Sequence, residues 1–323
     1  MSLCVNETWY IFFVDVGMKI ELVAGTYKPH YSNMEETTGE GKCGTWPTRA
    51  TSGTVYNLHG TADKMITFCG DPEHTIIDGS PKLQSGAGIQ IVRSSHVRFA
   101  GFRMQNMLRS VDLQDTFFSE VLFITSSHTW HEGVRIRYNS SYNLFAHSRI
   151  EHTGKGYVGN GEGVYIGTAA GRTVDCGEAS DQSNYNTIKN NTFGPHVPSE
   201  NIDVKEFTTG GIIIGNRFDG SYLRGIHASI SWVALKGRQY TVVNNTGTGL
   251  GVKGSGIRIL KRAPTYGSDN IVRNNACHNL SDGSYCIFVD KRTTNNTVIC
   301  NTDDTARAYG SKGEHSDLCD SFS

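Results

Sequence analysis

Glu200-Asn201-Ile202-Asp203-Val204-Lys205-Glu206 is a short period-two segment, with Ile202 and Val204 on one face and Asp203 and Lys205 on the other. That alternation is the signature of a strand buried on one side. Segments with the same beat recur along the chain. Their first inward residues are Ile66, Ile89, Val111, Val134, Val164, Ile202, Val233, Ile257 and Cys286, at steps of 23, 22, 23, 30, 38, 31, 24 and 29 residues. The near-constant early steps predict one strand per repeat, and the longer later steps predict loops inserted between strands. The largest insertion spans roughly 168 to 183 and contains Cys176.

A second ladder runs between these segments: 187–191, 212–216, 241–245, 270–275 and 297–301, each ending in Asn. Asn tolerates a left-handed turn and stacks its amide on the Asn of the next layer. Two or three strands per turn at a coil length in the low twenties predict an all-β, right-handed, single-stranded parallel β-helix. One such domain accounts for all 323 residues: an irregular N-terminal cap and loop to about 62, coils from about 63 to 302, and a tail from 303. Within the cap, 19–27 reads as a strand ending in a Gly turn.

Composition agrees. The chain holds 37 Gly and only 7 Pro, which favours many short strands and turns. A net charge of -1 gives no global field directed at nucleic acid or a membrane surface. The apolar patch from Trp9 to Val16 is broken by Asp15 and lacks a basic leader, as expected of a chain whose signal peptide has been removed. Eight cysteines without a CxxC pair predict disulfides in an oxidising compartment rather than a zinc ribbon. Sequons at Asn6, Asn139, Asn190, Asn244, Asn279 and Asn295 agree with secretion and glycosylation.

Stacked coils lie about 4.8 Å apart, so outward residues form columns. One column reads Gln90, Asp112, Arg135, Tyr165, Asp203, Ala234, Arg258, with Thr67 before it; the next reads Gln114, Arg137, Gly167, Lys205, Lys236, Leu260. A third brings Arg109, Glu132, Glu162, Glu200 and Ser231 into line. Two glutamates roughly 5 Å apart repel by roughly 3 kcal/mol at an effective dielectric near 20. Bound Ca²⁺, raised proton affinity or pairing with Arg109, Arg135 and Arg137 would each compensate. The strip of Arg135, Arg137, Lys205, Lys236 and Arg258 suits an acidic polysaccharide, with Tyr165, Trp232 or His227 to stack on sugar rings.

The Ala-Gly-Thr-Tyr opening (24–27), Ile-Ile-Asp-Gly (76–79) and Glu-Asn-Ile-Asp-Val-Lys-Glu within this repeat resemble the parallel β-helix proteins of the pectate-lyase-like superfamily, from about Ile20 to Asn301. The order Glu200, Lys205, Arg224 is loosely similar to that of chondroitinase B and related alginate lyases. The resemblance implies a secreted polysaccharide lyase. Glu162, Glu200 and Asp203 would then be ligands of Ca²⁺. Lys205, its pKa lowered by neighbouring cations, would be the base, or else a structural partner of Asp203 or Glu206, and Arg224 or His227 the acid or carboxylate clamp, in a stretch (219–230) that folds over the groove. A glycoside hydrolase of the same fold, faintly suggested by Arg258-Ile-Leu-Lys261, and a non-catalytic glycan-binding protein remain open alternatives.

Overall fold

The computed structural model describes residues 15–27, 54–79, 86–170, 180–304 and 309–311. Cys4, Cys43, Cys176, Cys319, the sequon at Asn6 and most of the predicted cap lie outside them.

All inter-strand ladders of the described residues are parallel, and the chain climbs as a parallel β-helix. One wall is a ten-stranded sheet: 54–56, 87–92, 109–114, 134–137, 164–166, 202–204, 231–235, 255–259, 285–289 and 309–311. We call it the site sheet. The other walls are two ladders merged into an eighteen-stranded sheet, because Val97–Gln105 and Glu120–Ser127 run through both.

The predicted register holds in the site sheet from Ile89 to Ile257. Ile89, Val111, Val134, Val164, Ile202, Val233 and Ile257 are successive partners, all buried. Two assignments need correction. Ile66 pairs with Val97 in the second sheet, so Thr67 leaves the outward column. Alternation shows that a segment is a strand but not which wall it belongs to. At the other end Ile287, not Cys286, sits opposite Ile257. Cys286 instead forms a disulfide with Cys277, whose Cα is 5.5 Å away.

The helix also starts earlier and ends later than expected. The predicted strand at 19–27 forms as Lys19–Glu21 and Gly25–Tyr27, which pair with Ile66–Cys69 and Thr75–Asp78, while Thr54–Tyr56 joins the site sheet in place of part of the predicted loop. The predicted tail contributes 309–311, paired with 287–289.

The Asn ladder forms as predicted. Asn191, Asn216, Asn245 and Asn275 each donate their backbone N–H and Nδ2 to the Oδ1 of the next Asn, ending at Asn301, at 2.8–3.1 Å. These amides are buried, so the ladder satisfies groups that would otherwise each cost about 1–3 kcal/mol. The ladder fixes the corner between the two ladders of the eighteen-stranded sheet.

Candidate active site

Consecutive coils place their outward residues on one face of the site sheet. Asp112, Arg135, Tyr165, Asp203 and Ala234 are successive Cα partners. Arg137, Lys205 and Lys236 stand two residues further along their strands. Arg135, Arg137, Tyr165, Asp203, Lys205 and Lys236, together with Arg109, His131, Glu132, Glu162 and Glu200, line a cleft of ≈ 300 Å³.

The N-terminal half of this face is neutralised pair by pair. Arg135 grips Asp112 with two bonds, Nε to Oδ1 at 3.1 Å and a terminal nitrogen to Oδ2 at 2.5 Å, and Gln114 adds a third at 2.9 Å. Arg109 Nε donates to Glu132 at 2.5 Å. Burial would raise both carboxyls, but Arg135 outweighs it at Asp112, and Arg109 with Arg135 does so at Glu132, so both stay below the ordinary carboxylate range.

The next two coils are arranged differently. Glu162, Glu200 and Asp203 are all buried, with one oxygen of each within 4.8 Å of the others. Asp203 accepts from both Lys205 and Lys236, one at each oxygen. Burial is again outweighed by the ammonium groups, and Asp203 is held below its ordinary pKa. Glu162 is helped less: Lys205 favours its charged form, but its Oε2 is buried with no hydrogen-bond partner. Burial and then the carboxylates of Glu132, Asp203 and Glu200 push it well above the usual range. Burial and Asp203 raise Glu200 as well.

By spacing alone the three carboxylates could share one cation. Both oxygens of Asp203 also face an ammonium group, so a cation bound there would share that carboxylate with Lys205 and Lys236.

The premise that Lys205 has a lowered pKa is corrected. Burial does work against its charge, but Asp203, and after it Tyr165, hold it above the ordinary lysine value. Its ammonium lies over the Tyr165 ring, 4.4 Å from the centroid, and burial pushes the Tyr165 phenol up to about 12. Arg137 donates to Thr168 at 3.0 Å and lies over the Tyr138 ring, 4.6 Å from its centroid.

The remaining predicted residues divide. His227 lines the cleft, on a rim where Tyr157 Oη and His227 Nε2 are 3.3 Å apart. Arg224 points elsewhere, its guanidinium 3.7 Å from the centre of the Tyr222 ring. Arg258 stands one coil past Ala234 and reaches the carbonyl of Ala228 at 3.3 Å. Trp232 is not a stacking platform. It is 1% exposed and fills space vacated by Gly220, Gly247 and Gly256, where a Cβ would come within 2.3–2.5 Å of its ring. Sequence reasoning did not find His131, Asn160, Ser229 or the neighbouring Tyr157. The run Gly154, Gly156, Gly159, Gly161, Gly163 was the available signal, since so many glycines mark a close backbone approach.

No protein-family model and no curated protein matches the sequence. Solved structures do match. An alginate lyase from Paenibacillus sp. str. FPU-7 is 21% identical, with a TM-score of 0.78 over 93% of each chain. A rhamnogalacturonan lyase is 14% identical, with a TM-score of 0.55 over 88% of this chain and 80% of its own. PfbA, a surface adhesin of Streptococcus pneumoniae, is 12% identical, with a TM-score of 0.56 over 89% of this chain and 73% of its own. At these identities the likeness is one of fold, and the fold is common to lyases and to an adhesin. The chain is a parallel β-helix protein, built on a scaffold that it shares with polysaccharide lyases and carrying a charged cleft on its site sheet.

Proposed function

We propose that this protein is a secreted polysaccharide lyase that cleaves a uronate-containing chain by β-elimination. The observation that carries the reading is the contact of Lys205 with Tyr165 inside a cleft that also holds Arg135, Arg137 and Lys236. Elimination needs a cation on the uronate carboxylate, a base for the C5 proton and an acid for the leaving oxygen. Lys236 and Arg137 meet the carboxylate and make the C5 proton more acidic. Tyr165, as phenolate beside the Lys205 ammonium, takes that proton. The C5–H electron pair becomes the C4=C5 double bond, the C4–O4 bond breaks, and Lys205 gives a proton to O4. Transfer of the proton from Tyr165 to the neutral Lys205 restores the starting pair, so the cycle closes. Because Tyr165 titrates at about 12, the rate rises with pH through the neutral and mildly alkaline range. Calcium has no step in this scheme.

A second reading has its own observation. Glu162, raised, and Asp203, lowered, are a close pair of carboxyls driven in opposite directions, the pattern of acid and nucleophile in a glycoside hydrolase. It is the weaker reading because both oxygens of Asp203 are engaged by lysines. Incubation with alginate, pectate, chondroitin and glucuronan separates the two. The lyase reading expects the ultraviolet absorbance of an unsaturated uronate with at least one polymer. New reducing ends without that absorbance would establish the hydrolase, and retention without cleavage a binding protein.

A further inference from the structure

Most exposed rings of the described residues are stacked along the solenoid. His96, Phe118, Tyr142 and Tyr185 form one such row, with centroids 4.8–5.2 Å apart and planes within 14° of each other. Each ring covers its neighbour's face, so the row offers solvent only ring edges. The rings at the lip of the cleft are arranged otherwise. Tyr157, 45% exposed, and His227 meet at 57° with centroids 5.6 Å apart, so neither covers the other's face.

Two loops are built to bring them together. Gly159 lies where a Cβ would come within 2.7 Å of the Tyr157 ring, 2.8 Å of Ile226 and 3.0 Å of His227 Nδ1, so a larger residue there would push these side chains apart. On the facing loop Gly225, His227 and Ala228 all have positive φ, at 72°, 54° and 64°. His227 shares this backbone with other turn residues of the coil, among them His96, Phe118, Tyr142 and Tyr185, at 53°, 52°, 60° and 56°. The loop is tied down in turn by the Tyr157 Oη to His227 Nε2 contact and by Arg258 at the Ala228 carbonyl.

We infer that Tyr157 and His227 form a sugar-ring subsite at the lip of the cleft, holding the pyranose next to the one whose linkage is broken. This rests on the polysaccharide reading above. The cationic floor recognises carboxylates, and the tilted rings add a surface for the apolar face of a neighbouring pyranose, which charge alone cannot hold in register. The subsite therefore acts on polymer binding and not on bond breaking.

The test uses the whole chain. Affinity electrophoresis through gels cast with alginate, pectate, chondroitin or glucuronan reads binding, and absorbance kinetics on the polymer that is cleaved reads KM and kcat. Tyr157→Ala is expected to weaken retardation and raise KM roughly tenfold with kcat nearly unchanged, while Tyr157→Phe keeps the ring and stays within about twofold of wild type. Tyr157 is exposed, so unchanged melting of both variants separates the effect from misfolding. Wild type that cleaves, with Tyr157→Ala keeping its retardation and KM, overturns the subsite and leaves the lyase standing. Wild type that is retarded but cleaves nothing, with retardation lost in Tyr157→Ala, supports the subsite and sinks the lyase. No retardation and no cleavage with any of the four polymers overturns both.

Discussion

Two adjacent parts of one charged face solve the same problem differently. At Asp112 and Glu132 each buried carboxylate has its own arginine, reaching from the neighbouring coil, and the charges close locally. At Glu162, Glu200 and Asp203 the cations are distributed unevenly: among the described residues Asp203 forms ion pairs with two lysines, whereas Glu162 forms none and feels Lys205 only from a distance. A balanced buried pair serves the scaffold, because breaking it strands a charge. An unbalanced cluster raises the proton affinity of Glu162 and Glu200 and leaves cationic groups whose partner can be exchanged for a ligand's carboxylate. The difference separates the structural end of the strip from its chemical end.

The sharpest way to break the comparison is to remove a cation on each side. Arg135→Ala leaves Asp112 buried with only Gln114, and a loss of about 3–5 kcal/mol in stability is expected, measured by chemical denaturation. The sign with pH follows from the lowered Asp112 pKa. The paired state contributes above the unfolded value near 3.8 and is lost as pH falls through the folded one, so the deficit is largest at neutral pH and fades in acid. Lys205→Ala should behave in the opposite way. Asp203 keeps Lys236, so stability falls by only about 1 kcal/mol, while turnover falls roughly a hundredfold or more. Equal stability losses in the two variants would erase the distinction.

The next effect is smaller and opposite in sign. Glu162→Gln removes a buried group whose folded pKa is raised, so the wild-type carboxyl contributes fully below its unfolded value of about 4.5 and loses that contribution as pH rises through the folded one. The variant should match wild type at pH 4 and be more stable by about 1–2 kcal/mol at pH 8, in thermal melts at both values. A variant less stable at pH 8 would mean that Glu162 is ionised and paired. The smallest effect concerns calcium. Millimolar Ca²⁺ is expected to leave the melting temperature within about 1 °C, and a clear rise would restore the acidic cluster as a metal site.

Much of this face was legible before the structure. Stacking follows from the repeat, so the order Asp112, Arg135, Tyr165, Asp203 and the line Lys205, Lys236 could be read from spacing. Errors came where spacing carries no information. Ile66 alternates as well as Ile89 does, and only the coil path decides which wall receives it. Cys286 took the place of Ile287 because a loop before it shifts the count by one, and a slip of one residue exchanges the two faces of a strand. The protonation of Lys205 was misjudged because the cations of its column were given more weight than Asp203, two residues away in the chain, which is its strongest partner. The Tyr157–His227 lip joins residues 70 apart through two loops outside the repeat, where periodicity is silent.

The most direct measurement is the initial rate of ultraviolet absorbance increase on the responsive uronate polymer, wild type against Tyr165→Phe at matched pH. The account predicts a rate that climbs with pH in wild type and falls by roughly a thousandfold in Tyr165→Phe, with binding retained. A Tyr165→Phe enzyme with the wild-type rate and pH profile would contradict it.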